Sequence, residues 1–332
     1  MYSFFYFPIV TLLKLSLIIA VVNKFKRVVS PLLAFYVSIL YLLGMYRSDG
    51  IDISSYRRNY DHIDTGDIVD LGYNLLMFLS KSVGLPFESF LLTIGILNLL
   101  LIWFICLRLN LSFGIVLSIL VLHLFLVRDF SQLRVSLAVN FVLAGFVSTG
   151  LLRYFFYLLG ASFHFTVLIL VGLFISYDFQ RNKSMLIKAL PFIFIIILGS
   201  SVSYLSFLDP RIDVYLNWDR EGYGQSVSNY NQVFLILFLL LVSLYRSSFQ
   251  IDVFVYSFIF SLVVFVSFAN AAIFSYRLTS VCMSLYPYLF AKILNSSSDG
   301  IFKLGSIVSI IYLLSLREKN KSVIESIVVG FQ

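Results

Sequence analysis

Cysteine is almost missing from this chain. The two present in 332 residues, Cys106 and Cys282, each stand alone inside an apolar run. Neither has metal-type spacing, so both read as packing residues and support no redox or zinc chemistry. Charge is scarce as well: only 12% of the residues are Asp, Glu, Lys or Arg, about half the roughly 25% of a soluble domain. Histidine occurs three times, at 62, 123 and 164. The chain has no Walker-type phosphate loop, no zinc motif and no G-x-S-x-G elbow. Nor do paired acidic residues lie inside its apolar runs, where Asp129 is the one carboxylate that approaches membrane depth. That argues against an ion-driven carrier. No metal and no cofactor is expected.

What is there in quantity is apolar. Hydrophobic residues make up 60% of the chain and aromatics 17%. Long apolar runs cover 9–22, 31–45, 87–107, 113–127, 190–205, 233–245 and 253–269. A membrane span needs about 20 such residues, and several of these runs are slightly short, as in many polytopic bundles. The pattern predicts an all-α, polytopic membrane bundle of about ten or eleven transmembrane or re-entrant helices, in a single transmembrane domain over 1–332. Residues 1–22 have no basic start and no small-residue cleavage site, and read as a retained span. The net charge of +7 reads as basic cytoplasmic loops, not as a nucleic-acid surface.

Loop charges set the orientation. Lys24, Lys26 and Arg27 put the first loop in the cytoplasm. The 47–70 loop, with three arginines and six aspartates, and the polar 207–230 stretch are expected outside, as the substrate face. Arg181, Lys183 and Lys188 mark a cytoplasmic loop, and Arg317, Lys319 and Lys321 a cytoplasmic tail. Between residues 70 and 178 the number of crossings must be odd. Five crossings would put Arg128 and Arg134 inside. If 71–83 is interfacial and 153–177 breaks at Gly160-Ala161-Ser162 and turns back, three crossings put both arginines outside.

Ionisable residues within the apolar stretches mark the candidate chemistry, because a charge at the bilayer centre costs about 2.5–3.5 kcal/mol on insertion scales. They are Arg128, Asp129, Arg134, His164 and Arg277. Arg128 and Arg134 lie about 120° apart around a helix and share no face. They converge if Arg128 is in a loop and the helix starts near Ser131. Two guanidiniums beside helix amides would then cradle a phosphate; the alternative is that Arg128 pairs with Asp129 or reaches the headgroups. Of these five, His164 is the one suited to base chemistry near neutral pH, although a lone buried histidine also serves as a packed, hydrogen-bonded residue. In GIDISSYRRNYDHID, Asp52, Tyr56 and Tyr60 recur every four residues after Gly50, and Arg57 can pair with Asp61. This segment reads either as an interfacial amphipathic helix or as a sugar-binding lip.

Four motifs in order then carry a resemblance: Gly50, Asp52, Tyr56 and Tyr60 as G-x-D-x-x-x-Y-x-x-x-Y; Asp70, Gly72 and Tyr73 opening the next helix; Arg134 and Ala138 as R-x-x-x-A; and Ala161 and His164 as A-x-x-H. Together with Arg277 in FSYRLTS, the chain resembles the EpsG/Wzy-like polysaccharide polymerases of bacterial membranes. The match is best over residues 49 to 170. The resemblance implies polymerisation of undecaprenyl-diphosphate-linked oligosaccharide units into O-antigen, capsule or exopolysaccharide, on the outer face of the cytoplasmic membrane. It implies catalytic roles for His164, Arg134 and Asp52, and substrate contacts at Arg128, Arg277, Gly50, Tyr56 and Tyr60. A chain-length regulator and a flippase would be its partners. A flippase for lipid-linked oligosaccharide and a glycan ligase are the competing readings.

Overall fold

A computed structural model of the chain describes residues 26–45, 53–63, 70–120, 133–180, 185–201, 229–247, 251–269 and 271–295. Among them the secondary structure is helical, with no strand. The helices are α1 (Lys26–Met45), α2 (Ile53–Asp61), α3 (Leu71–Ser82), α4 (Phe87–Arg108), α5 (Phe113–Leu120), α6 (Leu133–Phe146) and α7 (Leu151–Phe163), followed by α8 (Leu168–Gln180), α9 (Met185–Ser200), α10 (Asn229–Arg246), α11 (Val253–Ser267), α12 (Ala272–Cys282) and α13 (Tyr286–Asn295). They group into two compact units: Met1–Phe165 with Phe290–Gln332, and Thr166–Leu289.

In the first unit the sequence writes its own helix stops. After α3, Gly84 takes a left-handed φ of 74°, and the amides of Gly84 and Leu85 bond back to the carbonyls of Lys81 and Ser80. After α4, Asn110 does the same at φ 54°, with Asn110 and Leu111 bonding to Leu107 and Cys106. Both are left-handed caps that satisfy the last carbonyls. α4 is the one described helix long and apolar enough to cross a membrane; its 22 residues span about 33 Å. Ile94, Ile102 and Ile105 are buried, while Ile96, Leu100, Trp103 and Leu107 are exposed. A helix apolar on its open face as well as its packed one suits hydrocarbon better than water. α7 repeats the pattern, with Leu151, Phe155 and Leu158 exposed.

α6 and α7 form an antiparallel hairpin. Arg153 closes it, its guanidinium donating to the carbonyls of Ser148 and Phe146 at the end of α6. Their backbones approach closely at Gly160, where an added Cβ would lie 2.6 Å from Val142 Cγ2 and 2.9 Å from the Ala138 carbonyl. The break expected at Gly160-Ala161-Ser162 therefore falls later. α7 runs through Phe163, His164 is extended at φ −166° and ψ 123°, and a 3-10 turn, Phe165–Val167, leads into α8. Gly160 is a contact point, not a hinge. Between α4 and α6, Asn140 Nδ2 donates to Asn98 Oδ1 at 2.8 Å and Asn98 faces Ser136, a buried polar link that fixes α6 in register.

In the second unit Asp252 caps α11, accepting from the amides of Phe254 and Val255 at 3.0 Å, and pairs with Arg246 at the end of α10. The Tyr256 ring meets Tyr177 and Phe192, and its hydroxyl lies 2.9 Å from the hydroxyl of Ser176 on α8. Ser257 donates to the Cys282 carbonyl, which ties α11 to the end of α12. Among the described residues, hydroxyls, rings and the Arg246–Asp252 ion pair join the second unit's helices.

Candidate active site

Three ionisable side chains from distant stretches meet in the first unit. Asp70 is the N-cap residue of α3, in extended backbone, but its carboxylate does not cap the helix. Oδ2 instead accepts from Arg134 Nη1 at 2.5 Å and lies 3.4 Å from His164 Nδ1. The Asp70 side chain is 3% exposed, Arg134 28% and His164 17%. A carboxylate this deeply buried is stable only when paired and hydrogen-bonded, and Arg134 supplies the charge.

The local sequence explains the convergence. Arg134 lies one helical turn before Ala138, and His164 one turn after Gly160, so the close contact of Ala138 with Gly160 brings both candidate residues to the same end of the α6–α7 hairpin. Gly72 brings in the third. A Cβ at that position would fall 2.3 Å from Ser162 Oγ and 3.0 Å from the Phe163 ring. A larger residue there requires the Ser162 hydroxyl to turn away or the start of α3, with Asp70, to shift from the end of α7.

Aromatic rings form the floor. The Arg134 guanidinium lies over Tyr56, 5.6 Å from its centroid, and over Tyr73 at 5.9 Å; the two rings are 5.8 Å apart. Cation–π attraction of this kind strengthens when the cation is partly desolvated. Arg134 Nε and the Tyr73 hydroxyl are buried without a hydrogen-bond partner, so the guanidinium holds donor capacity beyond what it gives Asp70.

α2 is held against this floor. Its buried face is Ile53, Tyr56 and Tyr60, the face that the four-residue spacing marks. Tyr60 packs on Phe87 and Phe90 at 5.7 and 5.1 Å, and its hydroxyl donates to the Leu85 carbonyl at 2.6 Å. Burial, and then the Asp61 carboxylate, push that hydroxyl above its ordinary pKa, so it stays a donor. Arg57 reaches Glu88 at 2.5 Å across the Phe87 ring; this is the partner it takes in place of the expected Asp61. Lys81 Nζ donates to the Asp61 carbonyl at 2.8 Å.

The sequence model of the EpsG family matches residues 29–323, nearly the whole chain. The chain belongs to the EpsG family. This is a Wzy-like polysaccharide polymerase family, and membership together with the apolar helices marks the chain as a membrane protein of polysaccharide biosynthesis. No curated protein and no solved structure matches it.

Of the site residues expected in this EpsG protein, the structure brings Arg134, His164 and Tyr56 to one place. Tyr60 lies one turn further along α2, and both tyrosine rings are buried, not open to solvent. Arg277 is half-buried on α12 in the other unit. Gly50, Asp52, Arg128 and Asp129 lie outside the described residues. Two residues at the cluster were not expected as site residues, Asp70 and Tyr73, although both open the second motif. Asp70, one of six aspartates expected in an external loop, is buried at this site. Among the described residues no group of three or more His, Cys, Asp or Glu gathers around a metal position.

Proposed function

We propose that this EpsG-family protein joins oligosaccharide repeat units carried on a polyprenyl diphosphate. It would be a multi-pass protein of the bacterial cytoplasmic membrane, acting on the external face beside a flippase and a chain-length regulator. The observation that carries the reading is the buried Asp70–Arg134–His164 cluster in a polysaccharide-polymerase family member. In the reaction, a hydroxyl oxygen of the acceptor sugar attacks the anomeric carbon of the donor. The bond from that carbon to the diphosphate oxygen breaks and its electron pair leaves with the lipid diphosphate. Arg134 stabilises the charge that builds on the leaving group, as preorganised donors do for developing anions. His164 takes the acceptor's proton. Tyr56, with Tyr73, supports the guanidinium from below.

The test is complementation of a deletion strain, with surface glycan analysed by chain length. The deletion is expected to lose long chains while single units still reach the surface, and His164→Gln to leave that phenotype unchanged. Arg134→Gln is expected to reduce polymer on the order of 100-fold, the range for losing one charge-stabilising donor. Full-length polymer from His164→Gln would remove the histidine from the mechanism. Units trapped on the inner face in the deletion strain would favour the flippase reading.

A further inference from the structure

We infer that Asp70 is a positioning residue that fixes His164 in the tautomer with its proton on Nδ1 and so makes Nε2 the atom that accepts the substrate's proton. The inference deepens the polymerase reading and rests on it for the substrate and for His164 as the base, while the tautomer itself rests on the geometry alone.

Salt-bridged to Arg134 as a carboxylate, Asp70 presents acceptors only, and a guanidinium presents donors only. The ring nitrogen that faces Asp70 Oδ2, at 3.4 Å, is Nδ1 of His164. Two lone pairs facing each other repel, so Nδ1 must carry hydrogen, which leaves the lone pair of the neutral ring on Nε2. The contact is longer than the roughly 2.7–3.2 Å of a formed N–H···O bond, a slack that catalytic hydrogen bonds show before substrate binds. Free imidazole favours the opposite tautomer, so the carboxylate imposes a choice the ring would not make alone. The following groups surround the ring among the described residues. Asp70 precedes α3, Arg134 lies on α6, Tyr56 and Tyr73 sit under the guanidinium, and Phe165 packs 5.4 Å from the imidazole.

One oxygen serving both partners has a consequence for charge. Before reaction the carboxylate and guanidinium cancel, and the proposed base must start as a neutral imidazole. When Nε2 accepts the proton from the acceptor hydroxyl, the cluster gains one positive charge at the moment the departing diphosphate gains one negative charge. Nδ1 keeps its proton throughout, and no proton passes to Asp70.

The experiment reads the ring nitrogens of His164 by 15N NMR of histidine-labelled protein in detergent, at alkaline pH where imidazole is neutral. Three histidines give a spectrum that His164→Gln assigns. Wild type is expected to show Nδ1 protonated and Nε2 bare. Asp70→Ala is expected to invert this, and Arg134→Gln, which keeps the carboxylate, to preserve it. Should Asp70→Ala fail to accumulate, the pair Asp70→Ala/Arg134→Gln carries the same readout without leaving a buried charge alone. A wild-type ring protonated on Nε2, or an unchanged tautomer without Asp70, overturns the inference whether or not the protein polymerises glycan. In cells Asp70→Ala is expected to lose long chains; polymer retained alongside an inverted tautomer overturns the positioning role. Polymer from His164→Gln would instead sink the polymerase assignment of the base and leave the tautomer result standing.

Discussion

Arg134 does three jobs with one planar group: it neutralises Asp70, lies over Tyr56 and Tyr73, and keeps donors in reserve. An ammonium carries the same charge but is a compact point without a face to stack or a fork to share. Arg134→Lys is therefore expected to accumulate normally yet lose polymer by about tenfold or more, by densitometry of long-chain glycan against single units. Wild-type chain length from the lysine variant would mean that charge alone suffices. The sequence made Arg134 and His164 conspicuous because each interrupts an apolar run, where an ionisable group needs a reason. Asp70 had no such contrast. It ends a loop holding five other aspartates, and nothing local says which one a distant arginine will bury. Tyr56 and Tyr60 were legible as one helical face, but spacing is silent on what covers a face, and here it is Arg134 for one ring and Phe87 with Phe90 for the other.

At the level of elements, the site depends on two close approaches. The start of α3 nears the end of α7 at Gly72, and α6 nears α7 at Gly160. Gly72→Ala would set a methyl against Ser162 Oγ and the Phe163 ring, an overpacking strain that typically costs about 1–3 kcal/mol. Part of that strain is relieved by drawing Asp70 away from His164. Long-chain polymer is expected to fall several-fold in Gly72→Ala and to recover partly in Gly72→Ala/Ser162→Ala, which deletes the nearest clashing atom. Equal polymer in the two variants would show that Ser162 does not set the spacing. The same geometry explains a misplaced boundary. Gly160 and Ser162 make 160–162 look like a helix break, because Gly and Ser are common in turns. They are equally what a tight helix crossing needs, and only the partner helix decides between the two.

For the whole molecule, helical class and apolar character followed from composition, since 60% hydrophobic residues in long runs leave few alternatives. Orientation did not, because two span counts between residues 70 and 178 satisfy the same loop charges. The Tyr56 ring lies under Arg134, so the side on which α2 sits is also the side of the site. Ser55 is exposed on α2, and the two native cysteines are buried. Ser55→Cys is expected to react with a membrane-impermeant maleimide in intact spheroplasts. Labelling only after lysis would place the site on the cytoplasmic side and end the proposal of an external face. The cluster also orders events during synthesis. Arg134 follows Asp70 by 64 residues and His164 by 94, and a chain emerges N-terminus first. Asp70 is thus made long before its counter-charge exists, and a carboxylate without one is costly in hydrocarbon. The Asp70–Arg134 pair can form only after α6 has been made, and the contact with His164 later still. The candidate site is in this sense the keystone of the first unit, its ion pair completed only once the later helices are made.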